Sequence, residues 1–159
     1  MNINIVAAGK IKERYLAEGI AEFMKRLRPY AQVHILEISE EKMKENPSPA
    51  EKEKILSQEG ERLLRQVPDG SYLIVLDVYG KESSSEELAA RIDALGLQGQ
   101  SNITFLIGGA FGLSREVRAA AKERLSFSRM TFTHQMVRLL LVEQIYRAFK
   151  INRGEKYHW

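Results

Sequence analysis

The residues best able to do chemistry in this 159-residue chain lie in its last third. The first group is the turn Ile107-Gly108-Gly109-Ala110-Phe111-Gly112, which ends an apolar run. Glycines at the carboxyl end of a buried strand let backbone N–H groups approach a ligand closely, and open α/β sheets bind ligands along that edge. A tight strand-to-helix connection also needs glycine, so the turn by itself names no ligand. It departs from the G-x-G-x-x-G dinucleotide fingerprint, because its later glycines are displaced and it follows the fourth apolar run rather than the first. The second group runs from Leu125 through Ser126, Phe127, Ser128, Arg129, Met130, Thr131 and Phe132 to Thr133 and His134. Thr133 suits a helix N-cap. His134 has the range of a general base, but a helix N-terminus disfavours its cation, and capping or packing is the commoner role for such a histidine.

The third group lies on a segment apolar on nearly every side, Met136 to Val142. A helix of that kind is enclosed all round or packs on a second subunit. Arg138, Glu143, Arg147 and Lys150 are its polar exceptions. A buried arginine requires a partner, either a carboxylate such as Glu143 or a phosphate. The fourth group is the ending Tyr157-His158-Trp159. Aromatic rings are costly to leave in water and stack well on bases, and Tyr157 with His158 makes a base-contacting or proton-handling pair.

Several classes are excluded. The chain has no cysteine, which removes disulfides, thiolate metal sites and cysteine nucleophiles together. Three separated histidines without an acidic cluster make no metal-ligand set, so no metal is expected. Neither a G-x-S-x-G elbow nor a Walker loop is present. No apolar run reaches about 18 residues, so no membrane span is expected. The apolar run Ile3 to Ala8 precedes the charged stretch Lys10 to Arg14, the reverse of a secretory leader, and a cytoplasmic protein is expected.

The net charge is only +3, but Arg115 to Arg153 carries nine Lys or Arg against Glu116, Glu123 and Glu143. That region suits phosphate contacts with an RNA, although solvated helix faces account for most such runs.

Elements that would position these groups alternate along the chain. Ile3 to Ala8 reads as a strand ending at Gly9, and Leu16, Ile20, Phe23 and Leu27 give a helix from about 13 to 27, stopped by Pro29. Val33 to Ile38 alternates as a half-buried strand, 39–49 reads as a loop, and a polar helix follows to about Val67. Tyr72 to Leu76 and Ile103 to Ile107 are continuous apolar runs of the kind found in parallel strands buried on both faces. Ser83 and Ser84 stand three residues before Glu86 and Glu87, the spacing of a capping box. Leu125 to Ser128 gives a last short strand, and a long helix occupies about 134 to 152. The result is one α/β domain, 1–159, with a mainly parallel five-stranded sheet and helices on both faces.

Taken together, these stretches resemble the SPOUT superfamily, the α/β-knot methyltransferases. The likeness spans the whole chain. It rests on Ile5-Val6-Ala7-Ala8-Gly9-Lys10, Ile107-Gly108-Gly109 with Gly112-Leu113-Ser114, Leu125-Ser126-Phe127-Ser128, His134-Gln135, Glu143-Gln144-Ile145-Tyr146-Arg147-Ala148, and Gly154 to His158. Within the superfamily, the pattern is similar to that of the single-domain bacterial members that methylate N3 of a pseudouridine in 23S rRNA.

The resemblance implies S-adenosylmethionine as cofactor, a deep trefoil knot within about 72–159, and a homodimer whose active site combines both subunits. It implies that Leu76, Gly108, Phe127, Ser128, Arg129, Met130, Thr131 and Phe132 hold the cofactor. It places Arg147, Tyr157 and His158 around the nucleoside. The target N–H must lose its proton, and His158 or Tyr157 has the chemistry to accept it, with Arg147 stabilising the anion or gripping a phosphate. The chain departs from the family pattern at Thr133, in place of the usual proline, and in ending on Trp159. So small a chain has little surface for reading a long RNA, so the assembled ribosome is expected to supply part of the recognition. The competing expectation is a non-catalytic ribosome- or RNA-binding factor on the same fold. A nicotinamide-dependent oxidoreductase lies further off, for want of the dinucleotide fingerprint.

Overall fold

The apolar runs become the strands of a single sheet in a computed structural model that describes residues 1–159. The strands are β1 (Asn2–Ala8), β2 (Gln32–Ile38), β3 (Tyr72–Glu82), β4 (Asn102–Ile107) and β5 (Glu123–Ser126). They pair in the order β2-β1-β4-β3-β5, and every pairing is parallel. The helices are α1 (Arg14–Leu27), α2 (Pro49–Arg65), α3 (Ser85–Leu97), α4 (Arg115–Ala120) and α5 (His134–Asn152). Two helix starts follow from local chemistry: Ser84 and Glu87 form the reciprocal capping box of α3, and the Thr133 hydroxyl accepts from Met136 N at the start of α5.

Strand alternation splits the interior into two layers. On β1, Ile3, Ile5 and Ala7 point to one face, and Val6 and Ala8 to the other. On β4, Ile103, Phe105 and Ile107 join the first set and Leu106 the second. The larger layer is covered by α1, α3 and α5, the smaller by α2 and α4. With both faces covered, the central strands are mainly apolar, with Asn4 and Thr104 as buried polar exceptions.

The structure corrects three local expectations. The last strand starts at Glu123 and ends at Ser126, so Phe127 and Ser128 belong to the loop beyond it. The third strand continues past Leu76 to Glu82, because β5 pairs with it twice: Leu125 faces Leu76 in one register and Lys81 in the next. Residues 77–80 bulge out between the two registers. Gly80 is required there, since a Cβ at that position would stand 2.6 Å from Arg124 O. The third correction concerns Arg138, which does not pair with Glu143. Its Nη1 donates to Glu37 Oε2 at 2.5 Å and its Nη2 to Gly9 O at 2.9 Å, tying the first third of the molecule's last helix to the ends of β1 and β2.

Candidate active site

The carboxyl ends of β3, β4 and β5 open onto a cavity of about 1110 Å³, ample for a nucleoside-sized ligand. One wall is the glycine turn that leaves β4. A second is the bulge of β3, and a third is the loop from β5 to α5. Leu76, Gly108, Phe127, Ser128, Met130, Thr131 and Phe132 all line this cavity. Arg129 does not: its side chain is exposed and lies 3.7 Å from Glu82, outside the cavity.

Small polar contacts shape the β5–α5 loop. Ser126 Oγ is buried and lies 2.9 Å from Ser128 O and 3.1 Å from Val78 O, so one hydroxyl joins the loop to the bulge. Ser128 Oγ accepts from Met130 N at 3.0 Å. At the far end, Gln135 Oε1 accepts from Lys12 N, and His134 Nε2 faces the Glu40 carboxylate. His134, on the cavity wall, therefore packs against a carboxylate, in keeping with a packing role, while the cap itself is Thr133.

Several lining or supporting residues carried no sequence signal. Asp77 is buried, and its Oδ2 takes Arg118 Nε at 3.1 Å and Arg124 Nη1 at 3.4 Å while Oδ1 accepts from Tyr79 N. Two arginines thus neutralise one carboxylate beneath the bulge, and Tyr79 is left exposed at the cavity mouth. Glu59 of α2 is also buried, and its carboxylate accepts from Gly109 N at 3.1 Å and Glu41 N at 3.3 Å. Burial, the largest influence, pushes its pKa up from the usual carboxylate value, against the lowering effect of the two N–H donors. Only a signal of tertiary contact would have found either acid.

Arg147, Tyr157 and His158 come together, but not at this cavity. They meet at the far end of α5, where the chain folds back on the helix. Glu143 Oε1 is the hub. It accepts from Arg147 Nε at 3.1 Å and Nη2 at 2.5 Å, and from the Tyr157 hydroxyl at 2.8 Å. The Tyr157 ring lies under the Arg147 guanidinium, 4.7 Å from its carbon, and meets Tyr146 edge-on at 4.8 Å. Burial, then the bond to Glu143, raise the Tyr157 pKa above its ordinary value, so the phenol keeps its proton at neutral pH. The bond to Glu143 likewise raises the already high pKa of Arg147. His158 bridges outward, Nδ1 at 3.1 Å from Arg147 Nη1 and Nε2 at 2.7 Å from Glu86 Oε1.

In one chain, then, the ligand cavity and the polar tail cluster occupy opposite ends of α5. No group of acidic, histidine or cysteine side chains is arranged to hold a metal ion, and no helix is long and apolar enough to cross a membrane.

Comparison with known proteins bears on this arrangement. Residues 1–158 match a family model described as "Predicted SPOUT methyltransferase". Proteins named "Ribosomal RNA large subunit methyltransferase H" are similar along 99% of this chain and 99% of their own length. The identity is 59% for that of Halothermothrix orenii, 58% for that of Carboxydothermus hydrogenoformans and 52% for that of Listeria monocytogenes. Among solved structures, a probable methylase family protein from Haemophilus influenzae superposes with a TM-score of 0.51 at 15% identity, over 99% of this chain and 70% of that one. TrmJ from Z. mobilis does so with a TM-score of 0.50 at 13% identity, over 92% and 68%. At those identities the solved structures speak for the fold alone. With the family model spanning residues 1–158 and relatives at 52–59% identity from end to end, this chain belongs to the SPOUT methyltransferase family.

Proposed function

We propose that this chain transfers a methyl group from S-adenosylmethionine to N3 of a pseudouridine in 23S rRNA, in a site that two copies complete. The observation that carries the reading is the division of labour along α5: a ligand cavity at one end and a proton-handling tail cluster at the other. A homodimer that sets the tail cluster of one copy against the cavity of the other supplies both halves to one substrate. The names borne by relatives of 52–59% identity support the large-subunit RNA as the methyl acceptor. On this reading the chain is one domain whose 72–159 segment is threaded as a trefoil knot, and it works in the cytoplasm, where ribosomes are.

The cavity fits the cofactor. Leu76, Leu113, Leu125 and Phe127 provide apolar walls for an adenine ring, and the turn at Gly108–Gly112 brings main-chain polar groups to the edge of the space. S-adenosylmethionine supplies an already activated methyl group, so the protein's task is positioning and proton management. Tyr157 retains its proton and acts as a donor held by Glu143. Acceptance of the N3 proton then falls to His158. Its Nδ1 lone pair is occupied by Arg147 in the resting chain, and is released when Arg147 turns toward the anion developing on the base.

The test is mass spectrometry of 23S rRNA after incubating purified protein and cofactor with ribosomes from a strain lacking this chain. One added methyl group on a pseudouridine is expected from the wild type, and strongly reduced addition from Arg147→Ala and Tyr157→Phe. Full rates in both variants would overturn the assignment of the tail. A wild-type chain that gave no heat with S-adenosylmethionine in calorimetry, while still binding ribosomes, would make it a non-catalytic factor.

A further inference from the structure

The glycine turn owes its position to a residue outside the cavity wall. Glu59 sits in the last third of α2, on the face of the sheet opposite α5, and reaches over the end of β4. Its two oxygens take one N–H each from Gly109 and Glu41. The approach is so close that a Cβ at residue 109 would lie 2.8 Å from Glu59 Oε1. Gly109 does not have a positive φ, so what a side chain there would meet is the Glu59 carboxylate and not a forbidden backbone angle. Glu41 is itself gripped by Arg62, one turn along α2, whose guanidinium also donates to Ser39 O. A single helix thereby ties the loop after β2 to the turn after β4.

Stability alone does not account for a carboxylate in this place. Its folded-state pKa is raised, so any stability that its titration contributes is present at acid pH and lost as pH rises through the folded value. Burial of the carboxylate is offset only in part by its two N–H partners, since the net direction of its pKa is upward. What those two N–H bonds fix is the position of the turn relative to the loop after β2.

We infer that Glu59 is a positioning residue for the cofactor cavity, holding the 108–112 turn in its ligand-ready shape by accepting from Gly109 N. The inference rests on the reading of that cavity as the S-adenosylmethionine site. It predicts opposite outcomes for binding and stability. Glu59→Gln keeps the shape and relieves the buried charge, but turns an amide NH2 toward one of the two N–H donors. Its thermal midpoint at pH 7.5 should equal or exceed that of the wild type. Its affinity for S-adenosylhomocysteine should fall by about tenfold, the worth of one hydrogen bond to a charged group. In the ligand-free chain, the amides of residues 109 and 41 should exchange with deuterium at least about tenfold faster.

The experiment combines calorimetric titration of the full-length chain with S-adenosylhomocysteine and hydrogen exchange without ligand, on wild type, Glu59→Gln, Gly109→Ala and Glu59→Ala/Gly109→Ala. Gly109→Ala should weaken binding in the wild-type background and cost clearly less when Glu59 is already alanine, because the clash has been removed. Wild-type affinity and wild-type exchange in Glu59→Gln would overturn the proposal. So would additive losses in the double variant, or weaker binding accompanied by a matching fall in thermal midpoint. If the wild-type chain itself took up no S-adenosylhomocysteine, the cofactor reading would fall and this proposal with it. If the wild type bound and Glu59→Gln bound equally well, only the role of Glu59 would fall.

Discussion

The Arg147 guanidinium donates to His158 Nδ1 across 3.1 Å. Arginine has no lone pair to offer, so the histidine must accept at Nδ1 and carry its proton on Nε2, where Glu86 receives it at 2.7 Å. The geometry of the tail thus selects one imidazole tautomer, with Nδ1 toward Arg147 and Nε2 toward Glu86. Its basic nitrogen is masked by the residue expected to meet the substrate anion. On the proposed mechanism, substrate arrival and base exposure become a single event.

Because Tyr157 has its pKa raised by burial and by Glu143, it holds its proton throughout the neutral range. Tyr157→Phe keeps the ring against Tyr146 and Arg147 and removes only the hydroxyl. Methylation should slow roughly 10- to 100-fold, the worth of one hydrogen bond to a charged group, with the thermal midpoint little changed. His158→Asn should slow methylation at least as much. Full activity in His158→Asn together with a larger loss in Tyr157→Phe would reverse the two roles.

A site shared between copies makes a prediction that no single-chain site makes. Tyr157→Phe lacks a working tail, and Gly80→Ala distorts the bulge that walls the cavity, since the new Cβ meets Arg124 O at 2.6 Å. Each variant alone should be strongly impaired, with no more than about a tenth of wild-type activity in Tyr157→Phe. Mixed and re-equilibrated, they should recover roughly a quarter of wild-type activity, because half the dimers are mixed and each mixed dimer has one intact site. No recovery from a mixture shown to exchange subunits would count against the shared site.

Arg138 is 1% exposed, and its Nε has no partner, so its guanidinium relies on Glu37 and Gly9 O. Arg138→Ala should destabilise the chain by about 3 kcal/mol in urea unfolding, the low end for a broken buried pair because Glu37 retains contact with water. Arg138→Met, which fills the space without a charge, should lose less than Arg138→Ala. A loss under about 1 kcal/mol in the alanine variant would show that α5 is anchored by its apolar contacts alone.

The docked tail should come loose in acid. Glu86, bonded by His158, and Glu155, bonded by Lys150 and Tyr30, both have pKa values lowered in the folded chain. Lowered carboxylate values mean that their contribution is present above the unfolded value and lost as pH falls through the folded one. Lys150 is raised, chiefly by Glu155, so its share persists through neutral pH and fails only in strong alkali. Trp159 is the sole tryptophan and is exposed, so its fluorescence anisotropy reports on the tail directly. Anisotropy should be flat from about pH 9 to pH 5 and fall below about pH 4, where ordinary carboxylates protonate. Glu155→Gln should drop it at neutral pH.

Periodicity sufficed for the elements. Leu16, Ile20 and Leu27 form the buried stripe of α1, and the runs in β3 and β4 are apolar because helices cover both faces, as their composition required. Local chemistry also exposed Thr133 and Ser84 as caps, since a cap and its helix are neighbours in sequence. The glycine turn was legible as a ligand edge because a strand end and the residues after it travel together, whereas a cofactor role for the 127–132 loop came from the family resemblance and not from local sequence.

What the sequence could not determine was every pairing across long separations. Arg138 could choose between Glu143, five residues away on its own helix, and Glu37, 101 residues back. Only the packing of α5 beside the ends of β1 and β2 decided it. Glu59 and Asp77 read as ordinary polar positions until the sheet brought Gly109, Arg118 and Arg124 to them. Residue types and local spacing specify which chemistry is available and which segments carry it. Tertiary structure decides which groups meet, because the free energy of a buried polar contact depends on burial and geometry that no single segment possesses.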